Sequence, residues 1–194
     1  MKQDIILAGV GGQGILSIAT VIGSAALEQG LYLKQAEVHG MSQRGGDVQS
    51  NLRLSSDPIQ SDLIPRGKAD LIVSLEPMEA LRYLPYLAPK GWIITNTVPF
   101  VNIPDYPPME NLMAEFDKLP QVIAVDVDAI AKEAGSPRSA NMVLLGGIAA
   151  LLDILDPEQL RDGIRRIFGR KGEEIVAANI KAFDAGFNYA KKEK

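Results

Sequence analysis

The sequence contains no cysteine and a single histidine, His39. Without thiols the chain cannot ligate an iron–sulfur cluster, form a disulfide or offer a thiolate nucleophile. The usual Cys/His zinc sets cannot be assembled within one chain either. Positive charge is not in excess: 20 Lys and Arg against 24 Asp and Glu give a formal net charge of -4, the opposite of a nucleic-acid footprint. Two basic runs exist, one at Arg161, Arg165, Arg166, Arg170 and Lys171, the other at Lys191, Lys192 and Lys194. In helical contexts both read as a solvated face or a helix end. No apolar run reaches the roughly 18 residues of a membrane span; NMVLLGGIAALLDIL is shorter and carries Asp153. The opening MKQDIILAGV lacks the cationic, long apolar and cleavage regions of a secretory signal. The expected compartment is the cytoplasm, with neither nucleic acid nor membrane as a partner.

What remains is an ordinary globular composition. The 194 residues are 46% hydrophobic and 23% charged, enough for one domain that buries roughly 70% of its extended surface without a metal or disulfide staple. A single domain over residues 1–194 is expected. Residues 4–8 form a short apolar run that ends in glycines, and residues 15–29 follow with helical periodicity, giving strand, glycine turn, helix. Residues 31–38 and 47–54 read as two further strands. Their link is too short for a helical crossover, so they should form an antiparallel hairpin. Strands are expected at residues 69–75, 91–96 and 121–126, alternating with helices at 77–84, 109–119 and 129–134. Residues 97–108 hold four prolines and fit neither helix nor central strand. Helices then run to the end, at 141–155, 157–168 and 173–191. The fold class is α/β: a doubly wound, mostly parallel, Rossmann-like sheet with one antiparallel hairpin element and a helical C-terminus.

Two segments concentrate the chemistry. Gly9, Gly11, Gly12, Gln13 and Gly14 lie in GVGGQG, between a strand and a helix, the context that G-x-G-x-x-G requires. Gly9 permits a tight turn, Gly11 lets backbone approach a ligand, and Gly14 lets the helix pack on its strand. Helix-start N–H groups suit a phosphate. Glu37, 23 residues beyond Gly14, stands where a nicotinamide enzyme places its ribose-binding acid. A turn that only packs strand against helix is the plainer reading. The second segment, EVHGMSQRGG, joins His39, Ser42, Gln43, Arg44, Gly45 and Gly46. Arg44 can fork onto a phosphate or carboxylate, or pair with Glu37 or Asp47. His39 can meet an anion, carry a proton, or be a hydrogen-bonded loop histidine. These two are the possible catalytic residues. No metal site is expected, and no carboxylate pair or Ser–His–Asp order suggests hydrolysis.

Taken together, GVGGQG and EVHGMSQRGG, with SLEPMEALRYLPYLAPKGWIITN and SPRSANMVLLGGIAAL behind them, resemble the gamma-type (pyruvate/ketoisovalerate oxidoreductase catalytic) domain of the 2-oxoacid:ferredoxin oxidoreductases. Within that family the likeness is to small (beta) subunits of the indolepyruvate branch, over essentially the whole chain. The length suits a separate subunit. The resemblance implies CoA-dependent oxidative decarboxylation of a 2-oxoacid to an acyl-CoA, with ferredoxin as electron acceptor. It implies that thiamine diphosphate and iron–sulfur clusters sit in a large (alpha) partner subunit, that coenzyme A is the co-substrate, and that the chain alone is inactive, with self-association possible in isolation. By the same analogy, the cofactor-binding residues would be Gly9, Gly11, Gly12, Gln13, Gly14, His39, Ser42, Gln43, Arg44, Gly45 and Gly46. Competing readings are a stand-alone NAD(P)-dependent oxidoreductase and a non-catalytic structural subunit.

Three further residues have local explanations. Asn96, before Thr97-Val98-Pro99, is expected to form a turn. Asn141 is expected to cap its helix, Ser139 competing for that role, with reach into the site as the other reading. Glu76, before Pro77, should open a helix, with a ribose contact as the other reading.

Overall fold

The computed structural model describes residues 1–40 and 45–194. In chain order its elements are β1 (Lys2–Val10), α1 (Ile15–Glu28), β2 (Tyr32–His39), β3 (Asp47–Ser55), β4 (Ala69–Ser74), α2 (Pro77–Arg82), β5 (Leu87–Asn96), α3 (Met109–Phe116), β6 (Val122–Val125), α4 (Val127–Glu133), α5 (Ala140–Ala149), α6 (Pro157–Phe168) and α7 (Glu173–Glu193). The strands form one sheet in the order β2-β3-β1-β4-β5-β6. β1, β4, β5 and β6 run parallel, while β3 is antiparallel to both its neighbours. The expected doubly wound sheet with one antiparallel hairpin and a helical C-terminus is what forms. The hairpin sits differently from a regular dinucleotide fold, in which β2 lies beside β1: here β3 is inserted between them.

Alternation along the strands builds two apolar layers, because successive side chains point to opposite faces. Ile5, Leu7, Leu52, Leu54, Leu71, Val73 and Ile94 join the larger core with the buried sides of α1, α4, α5, α6 and α7. Ile6, Ala8, Ile72 and Ile93 face the other way and pack with Ala80 of α2, Tyr83 and Phe116 of α3. In the larger layer the helices approach to backbone contact. A Cβ at Gly146 of α5 would collide with the Phe183 carbonyl of α7, and one at Gly186 with the Val143 carbonyl. α6 meets α1 in the same manner, Gly163 lying under the Val21 carbonyl.

The second layer carries a buried ion pair. Arg53 Nε donates to Asp4 Oδ1 at 2.8 Å and Nη2 to Asp4 Oδ2 at 3.1 Å. Its Nη1 donates to the Ser61 and Leu63 carbonyls, each at 2.9 Å. The guanidinium thereby ties residues 56–68 to β1 and β3, and satisfying its remaining donors is what makes a buried pair tolerable.

Several helix boundaries differ from expectation. α5 stops at Ala149, although Leu151, Leu152 and Leu155 remain buried beyond it; an apolar run shows no periodicity break where burial continues off the helix. α2 ends at Arg82, and Leu84–Tyr86 form a 3-10 turn around Pro85. Asp156 opens α6 as anticipated, its N–H donating to Gln159 Oε1 at 2.8 Å. The first basic run lies largely on α6 and forms exposed ion pairs, Arg161 with Glu158 and Asp184, and Arg165 with Glu158 and Asp162. Among the described residues no helix is long and apolar enough to cross a membrane.

Candidate functional site

The two glycine-rich segments meet at the carboxyl edge of β1. The β1/β3 pairing continues past the strand ends: Gly11 N–H donates to the Gly46 carbonyl at 2.8 Å, and Gly45 N–H to the Gly11 carbonyl at 3.2 Å. This backbone latch requires unusual dihedrals, with φ of +104° at Gly12, +84° at Gly14 and +80° at Gly45. Such values strain any residue with a Cβ. Among the described residues nothing lies where a side chain of Gly12 or Gly45 would go, so the backbone conformation is what favours glycine there.

Below the latch the turn is clamped from inside. Gln13 Oε1 accepts from the Val10 N–H at 2.7 Å, and its Nε2 donates to the Leu75 carbonyl at 3.1 Å. Both polar ends of Gln13 are therefore engaged within the chain. Gly9 lies beneath, where a Cβ would come 3.0 Å from Gln13 Oε1. Asn141 Nδ2 donates to the Gly14 carbonyl at 3.2 Å, so Asn141 reaches the glycine turn instead of capping α5. The N-cap position belongs to Ser139, whose hydroxyl makes no capping bond and donates to Asn179 Oδ1 at 2.8 Å.

Above the turn lies an open cleft of about 360 Å³. Gly11, Gly12 and Gly14 form one wall with Ile15 and Leu16 of α1; Glu37 and His39 of β2 face them, over Val10 and Val48. α1 begins at Gly14 with no side-chain cap and no acidic residue in its first turn. Its positive dipole end and N–H groups are thus left to whatever enters the cleft. His39 is exposed, its Nδ1 lying 3.1 Å from the Gly40 carbonyl. No lysine or arginine lines the cleft among the described residues. Ser42, Gln43 and Arg44 lie outside the described residues.

A second polar centre adjoins the turn. Glu76, fully buried, caps α2 as anticipated by accepting from the Glu79 N–H at 2.8 Å. It also accepts from the Phe100 N–H at 3.3 Å and from the Tyr106 hydroxyl. Burial, then the bond to this carboxylate, raises the Tyr106 pKa well above the usual phenol range. Tyr83 nearby is pushed up to about 12 by burial, then by the Asp47 and Glu79 carboxylates. Asn96 forms the expected turn, Oδ1 accepting from the Val98 N–H at 3.3 Å. The same oxygen accepts from the Val127 N–H at 3.3 Å, and Nδ2 donates to the Leu75 carbonyl at 3.4 Å. Sequence reasoning missed Glu76 as a hub and assigned nothing to Asn102, whose Nδ2 donates to the Gly45 carbonyl at 2.9 Å; nothing in a proline-rich stretch marks such long-range partners.

This arrangement can hold an anion and orient hydroxyls, but it presents no hydrolytic constellation, and no group of three metal-ligating side chains occurs among the described residues. Residues 4–189 match the family described as pyruvate ferredoxin/flavodoxin oxidoreductase. The chain belongs to that family. It is 38% identical to indolepyruvate oxidoreductase subunit IorB of Pyrococcus horikoshii over 202 aligned positions, spanning 99% of this chain and 98% of that one. Among solved structures it is similar to the 2-oxoglutarate:ferredoxin oxidoreductase of Magnetococcus marinus, with 2-oxoglutarate, coenzyme A and succinyl-CoA bound; the TM-score is 0.76 at 27% identity, over 98% of this chain and 31% of that one. It is also similar to the gamma subunit of the keto/oxoacid ferredoxin oxidoreductase of Geobacter sulfurreducens, with a TM-score of 0.69 at 26% identity, over 97% of this chain and 98% of that one. The protein is thus a small subunit of a multi-subunit 2-oxoacid:ferredoxin oxidoreductase. Family membership, and not the position of Glu37, decides against the nicotinamide reading: Glu37, two strands from β1 across β3, still lines the cleft opposite the glycine turn.

Proposed function

We propose that this chain is the small subunit of an indolepyruvate-type enzyme of the cytoplasm, a single gamma-type domain over residues 1–194 that helps bind coenzyme A for a large partner subunit. The observation carrying this reading is the latch between the two glycine segments, which opens a cleft onto the uncapped start of α1. A phosphate of the coenzyme would rest on the N–H groups around Gly12 and Gly14. Glu37 would accept from a hydroxyl, and His39 would donate to an anionic oxygen when protonated. Iron–sulfur clusters would be held by the partner, since the chain has no cysteine to ligate them, and thiamine diphosphate is assigned to the partner with them. That partner would carry out decarboxylation and pass electrons to ferredoxin.

The test is reconstitution. The purified chain is expected to be colourless and inactive, to give a flat NADH titration, and to co-purify with a thiamine- and cluster-bearing large subunit. The complex should reduce ferredoxin or a dye with aryl-2-oxoacids in a CoA-dependent manner. His39→Ala and Glu37→Gln should each raise KM for coenzyme A about five- to tenfold, the effect of about one hydrogen bond. Unchanged KM in both variants would reduce the chain to a scaffold.

A further inference from the structure

The proline-rich stretch at residues 97–108 is not an idle connection between β5 and α3. It is fastened at two points to the buried Glu76 carboxylate, through the Phe100 N–H and the Tyr106 hydroxyl. Between these points stands Asn102, which reaches across the carboxyl edge of the sheet to the Gly45 carbonyl. Gly45 is one half of the latch, its N–H bound to the Gly11 carbonyl. A continuous path of hydrogen bonds therefore runs from the end of β4, through the strap, to the two glycine segments.

Asn102 also carries an uncompensated cost. With Nδ2 committed to Gly45, the orientation of its amide is set, and Oδ1 is buried with no hydrogen-bond partner among the described residues. A buried unpaired acceptor destabilises a fold, and an apolar side chain of suitable size would not incur that cost. Stability alone therefore does not account for an asparagine here. Its one bond fixes the peptide of Gly45, a residue whose φ of +80° is accessible to glycine together with many alternatives.

We propose that Asn102 is a positioning residue: held in place by the Glu76–Tyr106 fastening, it sets the Gly45 peptide and so keeps the latch that shapes the cleft. The consequence for coenzyme A rests on the reading of the cleft given above; the consequence for the latch does not. Proline at positions 99, 104, 107 and 108 suits this role, since fixed φ angles lower the entropy lost in keeping the strap in one shape.

The experiment compares Asn102→Ala and Tyr106→Phe with the unmodified chain, alone and reconstituted with the large subunit. Amide hydrogen exchange at Gly11 and Gly45 in the free chain is expected to quicken about tenfold in Asn102→Ala, and by less in Tyr106→Phe, on the scale of one lost hydrogen bond. Thermal stability of Asn102→Ala should change little, because the orphaned Oδ1 is gone while the Gly45 carbonyl loses its donor. In the reconstituted enzyme, KM for coenzyme A should rise about fivefold while kcat stays within about twofold. Unaltered exchange at both glycines overturns the proposal. So does a large fall in melting temperature with kcat and KM changing together, which would mark a structural residue. Faster exchange with an unchanged KM leaves the positioning role intact and removes coenzyme A from the cleft. If Asn102→Ala does not fold, Tyr106→Phe alone decides through the same exchange measurement.

Discussion

Two groups of glycines in this molecule do opposite work. At the crossing of α5 and α7, Gly146 and Gly186 have ordinary helical backbones, and their Cβ positions are filled by carbonyl groups of the facing helix. At the carboxyl edge of the sheet, Gly12 and Gly45 have Cβ positions that no described residue fills and φ values that other residues resist. The first group lacks a side chain so that two helices can touch; the second needs a backbone shape and leaves the space above it free. A glycine of the first kind serves stability; for one of the second kind that lines the cleft, such as Gly12, the proposed function assigns a part in binding. Gly14 combines both demands, with a φ of +84° and Asn141 Nδ2 only 2.9 Å from where its Cβ would be.

The largest expected effect is at the helix crossing. Gly186→Ala forces α5 and α7 apart and should cost about 4 kcal/mol or more, lowering Tm by roughly 8–16 °C for a chain of this size. The folded fraction should keep its KM for coenzyme A after reconstitution; a raised KM would blur the division. Gly14→Ala should cost about 2–3 kcal/mol from strain and crowding together, measurable by denaturant titration. Adding Asn141→Ala should recover the crowding part, and a strictly additive double variant would show that the contact with Asn141 is irrelevant. Gly12→Ala should cost only about 1–2 kcal/mol yet raise KM for coenzyme A about tenfold. The control is Gly30, which follows α1 with φ of +69° and open space around it. Gly30→Ala should show the same small stability loss with no change in KM. Equal kinetic effects from Gly12→Ala and Gly30→Ala would dissolve the distinction between binding and merely conformational glycines.

Much of the architecture was legible in local pattern. Short apolar runs, and alternation in residues 47–54, located the six strands, and Glu76, Asn96 and Asp156 took the cap and turn positions that polar side chains favour there. Apolar spacing after SPRSA predicts a longer helix than forms, because Leu151, Leu152 and Leu155 are buried beyond its end and such spacing does not distinguish a buried turn from a helix. For Asn141, a cap or a reach into the site by sequence, the second is what forms: its amide meets the Gly14 carbonyl, 127 positions away in sequence. Of the expected site residues, Gly11, Gly12, Gly14 and His39 line the cleft together. Gln13 turns inward as a clamp, Gly9 lies below the turn, and Gly45 and Gly46 form the latch.

The sequence by itself determined the alternation of strands and helices, the glycine turn, and the family, because these reside in short-range pattern and in motifs of adjacent residues. Only the tertiary structure decided that β3 lies between β2 and β1, that the two glycine-rich segments bond to one another, and that residues 97–108 reach back to hold them. Those outcomes depend on hydrogen bonds between distant segments, most of them to backbone groups that are alike in every residue but proline. Sequence can say where a chain is free to turn; which carbonyl the turn will meet is settled only when the whole sheet is assembled.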